Sequence, residues 1–167
     1  MQEQLLATLY EKYQHTAYVY VLGLCGKKEL AEDIVSEGFL RALESLPDEK
    51  EMYFLWWLLR VCKNVWLDFC RKQKKIADFA PEDYASQADV WESVLQRDTQ
   101  KKLYDALRAL PPKAQQILLW YYYAQLPIQE IAVLQGISAG AAKTALFRAR
   151  RRLKQQLAQQ EVEQHDL

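Results

Sequence analysis

The stretch Leu126-Pro-Ile-Gln-Glu-Ile-Ala-Val-Leu-Gln-Gly-Ile-Ser-Ala-Gly, continuing as Ala141-Ala-Lys-Thr-Ala-Leu-Phe-Arg-Ala-Arg-Arg-Arg-Leu153, admits few folds. Pro127 suits a first helical turn, where a backbone N–H has no partner to lose. Ile128, Ile131, Ala132 and Leu134 then make a short amphipathic helix. Gly136 supplies the left-handed conformation that ends it. Ser138 sets a hydroxyl beside the open N–H groups of the next helix. A short helix, a Gly-containing turn and a capped second helix are the grammar of a helix-turn-helix. At about 100° per residue, Ala142, Leu146, Ala149 and Leu153 share the inner face of that second helix. Lys143, Thr144, Phe147, Arg148, Arg150, Arg151, Arg152 and Lys154 cover the remaining arc. Small inner residues allow close packing, and the long outer cations face where a recognition helix meets a major groove. The competing reading is a solvated helix whose arginines favour its negative end. The turn ahead of it favours DNA.

The rest of the chain reads as helix too. Leu103, Leu107 and Leu110 close one helix before Pro111-Pro112, and an apolar helix follows from Gln115 to Ala124. In the N-terminal half, Leu5, Leu9, Tyr13, Ala17 and Tyr20 recur at helical spacing. So do Leu30, Ile34, Val35 and Leu40 after the Gly23–Gly26 break, up to Pro47 and Asp48. A third helix is expected from about Met52 to Lys74. With only 5 Gly and 5 Pro among 167 residues, the expected class is all-α. The expected organisation is two small helical domains, residues 1–75 and 101–160, joined by an acidic linker at 76–100.

Charge separates these pieces. The chain is neutral overall, with 22 basic and 22 acidic side chains. Neutrality argues against a nucleic-acid binder only if charge is spread evenly, and here it is not. Residues 60–75 hold 6 basic side chains (Arg60, Lys63, Arg71, Lys72, Lys74 and Lys75) against Asp68 alone. Residues 136–157 hold another 6 and no acid, whereas residues 76–100 hold 6 acidic groups and one basic.

On the third helix, Phe54, Trp57, Leu58, Val61, Val65 and Phe69 lie within about 60° of one another's mean and form an expected core stripe. The opposite face collects Trp56, Arg60, Lys63, Asn64, Leu67, Arg71 and Lys74. Trp66 lies at the edge, and either side can take it. Cations among aromatic rings suit unpaired nucleic acid, because cations follow phosphates while rings stack bases.

No basic start and apolar stretch of a signal peptide opens the chain, and no uncharged run reaches membrane length. Cys25, Cys62 and Cys70 have neither zinc nor disulfide-framework spacing and read as reduced thiols of a cytoplasmic protein. His15 and His165 are isolated, and no phosphate loop or nucleophile–base set can be argued. No enzyme activity, cofactor or metal is expected.

Four stretches together resemble the extracytoplasmic-function (ECF) sigma factors, the small two-domain group of the sigma-70 family. Ala31–Leu43 resembles the core-binding helix of region 2, and Phe54–Arg71 its promoter-melting helix, with Trp57, Leu58, Asn64, Asp68 and Arg71 in place. Leu107–Leu119 resembles the start of region 4, and Ile128–Leu153 its helix-turn-helix. The resemblance implies that Asp33, Glu37 and Arg41 bind core RNA polymerase. It implies that Asn64, with the loop Leu46–Glu51, lines a pocket for a flipped minus-ten base, while Arg60, Lys63 and Arg71 hold phosphates beside Trp56. It implies that Lys143, Thr144, Phe147 and Arg148 read the minus-thirty-five element, with Ser138, Arg150 and Arg151 on phosphates. The partners implied are core polymerase, promoter DNA and an anti-sigma factor. Ala145 stands where the family often has Arg, Ala142 where it often has Val, and Gly38 where Ala or Thr is commoner; Gly38 should weaken its helix slightly. The alternative is a stand-alone helix-turn-helix regulator of duplex DNA, which has no reason to make residues 54–71 basic and aromatic.

Overall fold

The computed structural model describes residues 2–44, 51–76, 90–96 and 99–165. The described residues are all-α, with helices joined by turns and no strand. The chain divides into two compact units, Met1–Ala88 and Asp89–Leu167. No described helix is long and apolar enough to cross a membrane.

The first unit holds α1 (Gln2–Cys25), α2 (Lys28–Glu44) and α3 (Glu51–Ile76). Each packs against the other two. Gly26, at φ 71°, ends α1 and donates its N–H to the Leu22 carbonyl at 2.7 Å. Leu6, Leu9, Ala17, Tyr20 and Cys25 bury one side of α1, and Ala31, Ile34, Val35, Gly38, Phe39 and Ala42 one side of α2. Two leucines expected in the core are outside it. Leu5 and Leu40 are exposed, and their neighbours Leu6 and Phe39 take the buried places. One residue of error in a helical register turns a side chain by about 100°.

The core stripe of α3 also differs from expectation. Phe54, Leu58, Leu59, Cys62, Trp66 and Cys70 are buried, while Trp57, Val61, Val65 and Phe69 are only partly covered. The buried line is rotated by about 80° from the expected one. Thiols explain the shift: free cysteine behaves as a small hydrophobe and is often buried. The rotation carries Trp66 inward, where its ring stacks on Phe69 at 5.7 Å between centroids. It also leaves Arg60, Asn64 and Arg71 closer to directly opposite the core, and moves Leu67 and Lys74 toward its edge.

Cys62 meets α2 at Gly38. A Cβ on Gly38 would lie 2.8 Å from Cys62 Sγ and 3.1 Å from Leu58 Cδ1. This glycine is therefore a point of close approach between α2 and α3 as well as a weak helix former. Gly38→Ala is expected to lower the melting temperature, although the change gains up to ~1 kcal/mol of helix propensity. In a Cys62→Ala background the same change is expected to raise it. Thermal unfolding of the four proteins tests this, and an equal effect in both backgrounds would contradict the contact. All three thiols are buried. Burial pushes the Cys25 thiol up to about 11 and the Cys62 thiol up to about 12, so neither is an accessible thiolate.

The second unit holds α4 (Lys101–Arg108), α5 (Pro112–Leu118), a π-helical turn (Leu119–Tyr123), α6 (Ile128–Gln135) and α7 (Ala139–His165). α7 packs against α4, α5 and α6. The expected helix Gln115–Ala124 is split: α5 stops at Leu118, and the wider turn follows. The turn closes with the Ala124 N–H on the Leu119 carbonyl and the Leu126 N–H on the Trp120 carbonyl, both at 3.0 Å.

The acidic stretch is not bare linker throughout. Residues 77–89 lie outside the described residues. From Val90 to Leu95 the chain turns and packs, with Val90, Trp91 and Leu95 buried. Trp91 is 0% exposed, donates its indole N–H to Gln115 Oε1 at 2.9 Å, and meets the Tyr123 ring edge-on at 5.6 Å. The side-chain amide of Gln115 donates in turn to the Leu110 carbonyl at 2.8 Å. That bond satisfies a backbone oxygen left open past the end of α4.

Candidate nucleic-acid interface

Three outward faces carry the candidate residues. The first belongs to α7. Gly136, at φ 68°, ends α6, and Ser138 Oγ accepts the Ala141 N–H at 3.0 Å, a side-chain cap of the kind that contributes about 1 kcal/mol. Ala142, Leu146 and Ala149 are buried, and Leu153 is partly so. Lys143, Thr144, Phe147, Arg148, Arg150 and Arg151 are all exposed. Phe147, at 63% exposure, is an apolar ring left in water at the centre of a cationic helix. Isolated exposed rings are normal, but here the ring shares its arc with Lys143, Thr144 and Arg151. Thr144 donates its hydroxyl to the Gly140 carbonyl at 3.0 Å, which leaves its oxygen lone pairs as acceptors.

Arg150 is held. Its Nε–H donates to the Tyr122 hydroxyl at 2.6 Å, and its guanidinium carbon lies 5.2 Å from the Tyr121 ring centre and 5.5 Å from that of Tyr122. The hydrogen bond to Tyr122 pushes the guanidinium still further toward its charged form. The sequence reading missed this pair. Three consecutive tyrosines ahead of a helix-turn-helix were the available signal, but the π-helical turn that aims two of them at Arg150 has no short-range code.

The second face is the outside of α3. Arg60, Asn64, Arg71 and Lys74 are exposed, whereas Trp56, Lys63 and Leu67 are partly covered. Burial holds the Lys63 ammonium below the ordinary lysine range, so its stem lies against protein while Arg60 stands clear. Arg71 Nη1 donates to Asp68 Oδ1 at 2.8 Å, an exposed pair one turn apart. Such an exposed pair contributes about 0–1 kcal/mol. Trp57 is partly covered beside Phe54, with ring centres 6.0 Å apart. Of the loop Leu46–Glu51, residues 46–50 lie outside the described residues.

The third face is the outside of α2. Asp33 and Glu37 are exposed and Arg41 is partly so, with Arg41 Nε donating to Glu37 Oε1 at 3.4 Å. Glu29, Asp33, Glu37, Leu40 and Glu44 fall within about 40° of one line along the helix, opposite its buried side. Leu40 is 54% exposed in the middle of that acidic line, and Leu43 is exposed beside it. No group of His, Cys, Asp or Glu among the described residues could hold a metal ion.

The two units match two family models in the same order. Sigma-70 region 2 matches residues 9–76, and Sigma-70, region 4 matches residues 100–153. ECF RNA polymerase sigma factor SigM of Bacillus subtilis is 30% identical over 148 residues, covering 87% of this chain and 91% of that protein. ECF RNA polymerase sigma factor BldN of Streptomyces coelicolor is 30% identical over 151 residues, but this chain spans only 57% of its length. The sigma factor RpoE of Bartonella quintana, solved in complex with the anti-sigma factor NepR, shares the fold at a TM-score of 0.58 and 19% identity, covering 93% of this chain and 96% of that one. The chain belongs to the ECF sigma factors of the sigma-70 family. The matches to both regions support that reading over a stand-alone regulator, whose N-terminal half would not carry region 2.

Proposed function

We propose that this chain binds core RNA polymerase through the outside of α2 and brings it to promoters, opening the minus-ten element with α3 and reading the minus-thirty-five element with α7. The single observation that carries the reading is the outer face of α3. Exposed Arg60, Asn64 and Arg71 run opposite a fully apolar buried stripe, with Trp56 and Leu67 half-covered among them. A duplex reader needs cations for phosphates; partly open rings beside an amide suit bases that have left the stack. Asp33, Glu37 and Arg41 are the charged groups proposed to meet polymerase. Lys143, Thr144, Phe147 and Arg148 are proposed to read bases, and Ser138 and Arg151 to meet phosphates. Trp56, Lys63 and Arg60 flank Asn64 at the minus-ten strand. An anti-sigma factor is the expected inhibitor, and the protein itself is proposed to act in the cytoplasm with no catalytic step.

Asn64→Ala is expected to leave initial promoter binding by the polymerase complex intact. It should lower promoter opening by about 10-fold, the scale of ~1.4 kcal/mol lost from one base contact. Permanganate footprinting reports the opened thymines, and a normal footprint would remove Asn64 from the pocket.

A further inference from the structure

The geometry points to Tyr121 and Tyr122 as positioning residues that hold Arg150 ready for a phosphodiester of the DNA backbone at the edge of the minus-thirty-five element. This rests on the proposed docking of α7 in the major groove and adds residues that lie outside the helix-turn-helix itself.

Three observations converge. The Arg150 head is restrained on one side by the hydrogen bond to Tyr122 at 2.6 Å and by both ring faces at 5.2 and 5.5 Å. Arg150 nevertheless remains exposed, as does Tyr122 at 49%. The Tyr122 hydrogen bond occupies the Nε–H and Tyr121 also engages the head, so the remaining Nη donors of the fork are the part left for an anion. Finally, Arg150 sits at the margin of the recognition arc. With Ala142 as the inward direction, Arg150 lies about 80° around the helix, next to Lys143 at about 100°. Thr144, Phe147, Arg148 and Arg151 lie between about 140° and 240° and face the groove floor. A residue at the margin meets the sugar–phosphate wall before it meets base edges.

The two tyrosines reach Arg150 because of the π-helical turn. It places successive rings 5.0 Å apart and edge-to-face, both against the arginine, and sends the third, Tyr123, to Trp91. Turns of this kind often occur at functional sites. Without the tyrosines the arginine must freeze a long side chain on binding; with them the side chain is already ordered. The chemistry favours phosphate over a protein carboxylate because the head is presented beside Lys143 and Phe147 on the α7 arc, where DNA is proposed to lie.

The test is equilibrium binding of the polymerase complex to promoter duplex across a salt series, with full-length Arg150→Ala, Arg150→Lys, Tyr122→Phe and the Tyr122→Phe/Arg150→Ala double variant. Arg150→Ala is expected to weaken binding by about 10-fold near 0.1 M salt and to reduce the salt slope by about 1, equally on all minus-thirty-five sequences. Arg150→Lys should keep the slope while losing affinity. Tyr122→Phe keeps the ring and is expected to cost about 2- to 10-fold with the slope unchanged. In the double variant it should add nothing beyond Arg150→Ala. Additive losses would overturn the positioning role. An unchanged slope in Arg150→Ala, or a loss confined to particular base substitutions, would overturn the phosphate contact. If the wild-type complex shows no promoter-specific binding, the proposed function falls and this inference falls with it; additive losses leave that binding intact.

Discussion

Replacing Trp91 by Ala is expected to unfold the second unit under conditions where the first remains folded. The indole is fully buried, is hydrogen-bonded to Gln115, and packs edge-on against Tyr123. Removing a buried Trp costs about 3–5 kcal/mol. A core of this small size rarely holds more than about 3–5 kcal/mol of net stability, so the loss is comparable to the whole. The loss also frees the Gln115 amide, which bridges Trp91 to the Leu110 carbonyl. Gln115→Leu should show the polar part alone, about 1–3 kcal/mol, by leaving the indole N–H and that carbonyl without partners. Circular dichroism with thermal melting checks both. Trp91→Ala should lose the helical signal of α4 to α7 at temperatures where the wild type keeps it. A melting curve unchanged from wild type would mean that Val90–Leu95 is linker after all.

Leu40→Asp is expected to weaken polymerase binding by at least about 30-fold with little change in stability. Leu40 is exposed, and substitutions at such sites usually fall within about 0.5 kcal/mol of neutral. It lies in the middle of a line of carboxylates, so an added Asp changes little for the free protein in salt. In the proposed complex the same position would be an apolar anchor ringed by Asp33, Glu37 and Glu44. Losing a central anchor and burying a carboxylate there costs at least about 2 kcal/mol, or roughly 30-fold in affinity. Co-sedimentation with core polymerase measures it. Wild-type affinity for Leu40→Asp would move the docking face away from the centre of this line.

Much of the fold was legible because helices announce themselves by period. The helix-turn-helix was clearest, since Gly136 and Ser138 each have one local job and α7 places Ala142, Leu146 and Ala149 within and its cations without. The first unit was less legible where two apolar residues compete for one place. Leu5 against Leu6 and Leu40 against Phe39 are decided by helices distant in sequence. The α3 stripe was misaimed because Cys62 and Cys70 count for little on a hydrophobic wheel yet take the centre of the core. Val90, Trp91, Val94 and Leu95 have helical spacing of their own, but acidic neighbours masked it. The Tyr121–Tyr122–Arg150 contact depends on a π-helical turn and joins residues 28 apart, so no local pattern encodes it.

The neutral total charge has a physical meaning in this account. Cationic faces on α3 and α7 are balanced by acidic groups elsewhere, so non-specific attraction of the protein alone to DNA is expected to be weak. In vitro transcription is the direct measurement: core RNA polymerase, purified full-length protein and genomic template, with start sites mapped. Neither component alone is expected to initiate specifically. Together they should start at a small set of positions that share minus-ten and minus-thirty-five elements. Specific duplex binding by the protein alone, unchanged by polymerase and without new start sites, would contradict it.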